Sequence, residues 1–242
     1  MRLDKFLSNR GFGSRTQVQR LIRQGFVKVN SQTVKDPSIK IDPMKDKVSV
    51  DDEDVYFQEN YYFMLNKPAG YITATFDENE PTVLDFFMDF PLVEKLFPVG
   101  RLDRDTEGLL IITTDGQFAH RLAHPKWNIE KEYFAIVEGD VSDIDFSPYE
   151  KKGLYLRKDK YTTKPFKVRV IKSSPEKSEI YITVSEGKYH IVKKIMGELK
   201  HPVLYLKRVR IGNLILDEIL EAGEYRELTK EEIEYLKSLV RL

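Results

Sequence analysis

Residues 97–116 read Phe97-Pro98-Val99-Gly100-Arg101-Leu102-Asp103-Arg104-Asp105-Thr106-Glu107-Gly108-Leu109-Leu110-Ile111-Ile112-Thr113-Thr114-Asp115-Gly116. A charged stretch bracketed by Gly100 and Gly108 runs straight into four consecutive aliphatic residues. The aliphatic run predicts a buried strand, and the charged stretch a loop anchored on it. A loop tied to a rigid strand can hold reactive groups in fixed geometry. Arg101 and Arg104 flank Asp103 and favour its ionised form. Read by itself, the stretch fits an ion-pair turn closing a strand better than it fits a reactive carboxylate.

Outward from this loop, β-like segments are predicted at 61–65, 71–75, 109–113, 133–138, 166–172, 179–184 and 203–209. Helical stretches are predicted at 82–88, 117–123 and 189–199, and a further helix follows Thr229, where Thr229 and Glu232 form a capping box. Several strands follow one another with no helix between them. The expected fold is therefore α+β, with a mixed, largely antiparallel sheet carrying the loop.

The first forty residues form a separate pattern. Leu3, Phe6 and Leu7 stand at helical spacing before Gly11 and Gly13, and Ser14 with Gln17 opens a second helix whose apolar stripe is Val18, Leu21 and Ile22. Gly25 suits its C-cap. Residues 26–30 alternate like a strand, turn at Ser31-Gln32 and return through Thr33-Val34. Two short helices and a hairpin bury little surface alone, which fits an appended binding module. Arg15, Arg20, Arg23 and Lys28 fall outside the stripe and are expected to be free to meet phosphates. The acidic run Asp51-Asp52-Glu53-Asp54 reads as a linker or exposed turn, so the expected division is a module over 1–56 and a larger domain over 57–242.

Lys plus Arg number 39 and Asp plus Glu 39, so the chain is formally neutral. The charge is unevenly spread: residues 1–40 hold nine basic residues against two acids, and residues 185–210 hold seven against two. Two segregated basic regions on a neutral chain point to a polyanionic partner. Hydrophobic residues are 41 %, enough for a real core. There is no cysteine, which excludes disulfides, zinc thiolates, iron–sulfur clusters and thiol nucleophiles. The four histidines have no metal-ligand spacing. Asp103, Asp105 and Glu107 alternate as Mg²⁺ ligands could, but Arg101 and Arg104 argue against it. Neither metal nor cofactor is expected. The start, Met1-Arg2-Leu3-Asp4-Lys5, has no apolar signal region, and the expectation is a soluble cytoplasmic protein acting as a monomer.

Residues Arg2-Leu3-Asp4-Lys5-Phe6-Leu7, Ser14-Arg15 and Gly25-Phe26-Val27-Lys28-Val29-Asn30 resemble the αL RNA-binding module shared by a small-subunit ribosomal protein and several RNA-modifying enzymes. The segment Gly100-Arg101-Leu102-Asp103 … Thr106 … Gly108-Leu109-Leu110 resembles the signature of RNA pseudouridine synthases, most closely the ribosomal small subunit pseudouridine synthase A family. Further matches follow in the family's order: Asn66-Lys67-Pro68-Ala69-Gly70, Pro81-Thr82-Val83, His120-Arg121-Leu122-Ala123-His124-Pro125, Lys131-Glu132-Tyr133, Glu186-Gly187-Lys188-Tyr189-His190, Arg208-x-Arg210-Ile211-Gly212 and Gly223-Glu224-Tyr225-Arg226-Glu227-Leu228.

The resemblance implies a cofactor-free isomerase that converts a specific uridine of ribosomal RNA, small-subunit 16S RNA in the first place, to pseudouridine. It implies that Asp103 is the catalytic carboxylate, whether at the sugar, at the base or as a proton acceptor. A carboxylate suits a glycosidic carbon whose departing base leaves an oxocarbenium-like centre. The uridine must be everted from folded RNA. Arg101 matches the residue that fills the vacated space, Tyr133 the tyrosine that stacks on the base, and Lys193 the cation that pairs with the carboxylate. Ile191 stands where the family has Gln, and Lys193-Lys194 where many members have Arg; lysine is a point charge, so a looser carboxylate contact is expected. Histidines 120, 124 and 190 are read as structural or RNA-contacting, although general acid/base groups are the alternative. The alternatives for the whole chain are a large-subunit 23S rRNA synthase of the same family, a non-catalytic RNA-binding assembly factor, and a carboxylate-dependent N-glycosylase.

Overall fold

The computed structural model describes residues 1–43, 45–55 and 60–242. The chain divides into two compact units, 1–61 with 87–96, and 62–86 with 97–242. The expected boundary between 56 and 57 lies outside the described residues.

In the first unit, α1 (Leu3–Ser8) and α2 (Arg15–Gln24) precede a sheet of β1 (Val27–Val29), β2 (Gln32–Thr33), β3 (Val48–Val50) and β4 (Glu53–Val55), in the antiparallel order β2-β1-β3-β4. The Ser14–Gln17 capping box opens α2 and Gly25 closes it with φ 88°, as its sequence predicts. The first hairpin turns one residue earlier than expected. Val29 pairs with Gln32, leaving Asn30 and Ser31 at φ 50° and 66° in the tight turn. Asp51 and Asp52 repeat this geometry at φ 52° and 68° between β3 and β4. The acidic run is therefore a two-residue hairpin turn and the start of a strand, not a linker. Short polar side chains tolerate the left-handed region that such turns demand. Leu3, Phe6, Leu7, Val18, Ile22, Val27, Ile41, Val48 and Val50 form the unit's own core.

The second unit is built on nine strands: β5 (Tyr62–Lys67), β6 (Phe97–Val99), β7 (Glu107–Thr113), β8 (Lys131–Glu138), β11 (Phe166–Ser173), β12 (Lys177–Val184), β13 (Val203–Ile211), β14 (Leu214–Ile215) and β15 (Tyr225–Glu227). A separate two-stranded ladder joins β9 (Tyr155–Leu156) to β10 (Tyr161–Thr162). The helices are α3 (Gly116–Ala123), α4 (Ser147–Lys152), α5 (Ile191–Glu198) and α6 (Lys230–Leu239). The main path runs β11-β12-β8-β13-β7-β5-β15, with β6 on β7 and β14 on β13. Only β13 and β7 pair in parallel, so the sheet is mixed and largely antiparallel as the strand order predicts.

The aliphatic run after Gly108 becomes β7, which is buried from Gly108 to Thr113. Leu109 and Ile111, on one face of the strand, join Tyr62, Met64, Phe118, Leu122, Ile211 and Leu236 in one core. Burying each such aliphatic side chain contributes roughly 1.5–3 kcal/mol. Two predicted elements are missing. At 71–75 the one ladder contact is an isolated bridge from Ile72 to Thr82, because Thr73 turns its hydroxyl to Leu102. At 82–88 only a single turn forms, Asp85–Phe87: Asp85 caps back onto Thr82, and the chain passes from the second unit to the first between Phe86 and Phe87.

Candidate active site

The loop between β6 and β7 is braced by buried polar groups. Lys67, at the end of β5, is fully buried, and its ammonium donates to the carbonyls of Pro68, Asp103, Arg104 and Thr106 at 3.0, 3.1, 3.3 and 2.8 Å. Burial lowers its pKa to about 8, against the pull of Asp105, Glu107 and Asp103. Thr73 Oγ1 donates to the Leu102 carbonyl and accepts from the Leu102 amide at 2.8 and 3.1 Å. The Gly70 amide donates to the Arg104 carbonyl at 2.8 Å, and the Thr106 amide to the Asp103 carbonyl at 3.1 Å. Gly108 has φ 98°, and a Cβ there would lie 2.2 Å from the carbonyl oxygen of Arg208 on the parallel neighbour β13. No side chain fits where the loop enters its strand.

The loop lines a cavity of about 970 Å³, within the size of sites that enclose a small molecule. Loop residues 100–106 form one wall. Tyr133, Lys131, Leu206, Arg208 and Ile211 form another, and residues 186–193 a third. Asp103, Arg101, Tyr133 and Lys193, expected together from the sequence, all line it.

Asp103 keeps 27 % of its side chain exposed. Its Oδ2 lies 3.3 Å from Lys193 Nζ and 3.2 Å from His190 Nε2, a charged contact when the histidine is protonated. Oδ1 has no hydrogen-bond partner among the described residues. Lys193 divides itself between two carboxylates and sits closer to Asp105, at 2.6 and 2.9 Å. Burial works against its charge, but the bond to Asp105 and the fields of Asp103 and Asp105 outweigh that and raise its pKa. The same contact lowers the pKa of Asp105. The lysine ammonium, a point charge, is thus shared between the two carboxylates.

The arginines flanking Asp103 do not act as the sequence suggested. Arg104 turns outward to Glu80, at 3.0 Å, and to the Gly70 carbonyl, and Arg101 is exposed at the cavity. Arg104 sits in the turn closed by the Thr106 amide on the Asp103 carbonyl, and the groups facing Asp103 come from α5 and its N-terminal flank. His190, read from sequence as structural or RNA-contacting, is one of them. It occupies the residue before α5 at φ 55°, with Tyr189 stacked on its ring at 3.6 Å. Its three-residue spacing from Lys193 was the available signal, because that spacing puts two side chains on one helical face.

The other basic residues singled out in the sequence lie in the first unit. Arg20 and Arg23 are exposed on α2. Arg15 and Lys28 are not free: Arg15 Nη2 reaches Asp4 at 3.1 Å, and Lys28 pairs with Asp52. A fully buried acid and a turn carboxylate already neutralise them in part.

A family profile described as RNA pseudouridylate synthase matches residues 61–198, and one described as S4 domain matches residues 1–47. The chain is 41 % identical over 237 residues to the ribosomal small subunit pseudouridine synthase A of Haemophilus influenzae, covering 98 % of this chain and 99 % of the relative. It is 42 % identical over 234 residues to the protein of that name in Escherichia coli K12, covering 96 % and 98 %. A crystal structure of a pseudouridylate synthase superposes with a TM-score of 0.67 at 40 % identity, covering 98 % of this chain and 99 % of that one. With its loop, cavity and paired carboxylate in place, the chain belongs to the RNA pseudouridylate synthase family, an isomerase preceded by an S4 domain.

Proposed function

We propose that this protein isomerises a uridine of small-subunit 16S ribosomal RNA to pseudouridine, with Asp103 as the reacting carboxylate. The observation that carries the reading is the half-held state of Asp103: Oδ2 contacts Lys193 and His190, Oδ1 has no hydrogen-bond partner among the described residues, and the residue lines a cavity of about 970 Å³. Lys193 and His190 hold the carboxylate in place from one side. Tyr133, 9 % exposed in the cavity wall, stacks on the everted uracil, and Arg101 at the rim takes the place the base leaves in the RNA. The detached base turns within the cavity and recombines through carbon-5, while the walls keep water from the sugar. Arg20 and Arg23 of the S4 unit contact phosphates, aided by Arg15 and Lys28 once RNA competes with their acids.

The choice of the small subunit rests on the names of relatives matched over nearly their whole length. We propose further that it acts as a monomer in the cytoplasm, where its proposed substrate, ribosomal RNA, is found. The test is a map of pseudouridines in 16S and 23S RNA from cells with and without the gene. Loss of one 16S position, restored when the purified protein acts on unmodified transcript, is the expected result. Loss confined to 23S RNA would move the assignment to the other subunit, and unchanged maps would overturn it.

A further inference from the structure

Among the described residues, Lys131 and Arg208, which line the cavity beside the proposed base-stacking tyrosine, have no acid partner. Arg208 on β13 is the direct antiparallel partner of Tyr133 on β8, so the two side chains leave the same face of the sheet. Lys131 lies two residues before Tyr133 on that strand and shares the face. Arg208 is 3 % exposed; its Nε donates to the Leu109 carbonyl at 2.7 Å, and its Nη2 is buried with no partner among the described residues. Lys131 Nζ has one hydrogen bond there, to the Ile129 carbonyl at 2.8 Å.

The acids lining the same cavity are committed elsewhere. Asp103 faces His190 and Lys193, and Asp105 holds Lys193. Glu186 accepts from the Tyr161 hydroxyl at 2.7 Å and from the Lys164 amide at 3.0 Å. The remaining charges near Lys131 are positive: Arg208 and Lys164, whose ammonium bonds Asn128. Burial and these cations lower the pKa of Lys131 to about 8. A buried donor without an acceptor, next to a cation without a carboxylate, is costly unless a ligand supplies negative charge.

We infer that Lys131 and Arg208 hold the exocyclic oxygens of the uracil and stabilise the negative charge it carries when it leaves the sugar. The inference rests on the function proposed above. In the heterolysis the C1′–N1 bond breaks and its electron pair leaves with the base, giving a uracil anion with charge on N1, O2 and O4. A carboxylate oxygen of Asp103 supplies the pair that satisfies C1′. On recombination carbon-5 of the anion attacks C1′ and the carboxylate is released. The carbon-5 proton is then lost and N1 takes up a proton, so the product is an isomer of the substrate. Donors fixed where charge develops act on the barrier rather than on binding.

The test couples enzyme and substrate atoms in single-turnover assays on a 16S transcript whose target uridine is uridine, 2-thiouridine or 4-thiouridine. Lys131→Met should slow the normal substrate about 100-fold, with the Kd for RNA within about three-fold. Sulfur is a weak acceptor, so one of the two thio substitutions should slow the wild type while costing Lys131→Met little more. Arg208→Lys, which keeps a buried cation in the wall, should show the same non-additivity towards the other oxygen. Losses that simply multiply for both sulfurs in both variants would overturn the inference. So would a Lys131→Met loss confined to Kd. Turnover of the unsubstituted RNA by the wild type, which the proposed function requires, is read separately in the same assay.

Discussion

Asp4 and Asp103 are both aspartates facing two basic side chains, yet one is finished and the other is left open. Asp4 has no exposed side-chain surface. Arg2 grips both its oxygens, Nε to Oδ1 at 3.0 Å and Nη2 to Oδ2 at 2.9 Å, while Arg15 and Gln19 fill the remaining acceptor sites. The Arg2 contact, helped by Gln19 and Arg15, holds its pKa well below the usual carboxylate range despite the cost of burial. Asp103 meets point-like partners on one oxygen alone, and its other oxygen has no hydrogen-bond partner among the described residues. A carboxylate surrounded by bidentate arginine is cement for a fold. One steadied from a single side remains available to a substrate.

That contrast can be broken at several points. The largest effect is expected at Asp103: Asp103→Asn should abolish pseudouridine formation in a tritium-release or mapping assay, with RNA affinity unchanged within about three-fold. Lys193→Met should cost about 100-fold in single-turnover rate, because it removes a fixed charge beside the reacting group, and Lys193→Arg should recover most of it. Asp4→Ala should leave the turnover of folded protein alone but destabilise the first unit by about 2 kcal/mol in urea titration, since several charge-assisted hydrogen bonds go together.

The pH dependence of stability tests Asp4 directly. The folded pKa of Asp4 lies below its unfolded value of about 3.9, so its stabilisation is complete above that pH and fades as pH falls towards the folded value. Melting temperatures from pH 6 down to pH 3 should therefore fall more steeply for the wild type than for Asp4→Asn. The smallest effects belong to the exposed helix face. Arg20→Ala with Arg23→Ala should flatten the log–log salt dependence of RNA binding by roughly 0.7–0.9 per lost phosphate contact, leaving catalysis at saturation unchanged.

What the sequence disclosed follows the range of the forces involved. Local signals read well: the capping boxes at Ser14 and Thr229, the left-handed glycine after α2, and the aliphatic run of β7 all stand where periodicity and capping chemistry put them. Elements that depend on distant partners did not. The 71–75 segment has strand-forming side chains, but Thr73 is claimed by Leu102, twenty-nine positions away. For the acidic run 51–54 the charge showed an exposed linker or turn, and the turn is what forms, but its pairing with β3 was not visible. At the site, motif order brought Asp103, Tyr133, Lys193 and Arg101 to one cavity. The role of Lys67 as a brace for four carbonyls, and that of His190 as a neighbour of Asp103, depend on where strands and helix meet in space.

The most direct measurement sets Asp103→Asn and Asp4→Asn side by side, each assayed for pseudouridine formed per folded molecule and for urea-unfolding free energy. The expected outcome is a crossed pattern: Asp103→Asn loses all product and little stability, whereas Asp4→Asn loses stability and keeps the wild-type rate. Product formed by Asp103→Asn at a rate near that of the wild type would contradict the account at its centre.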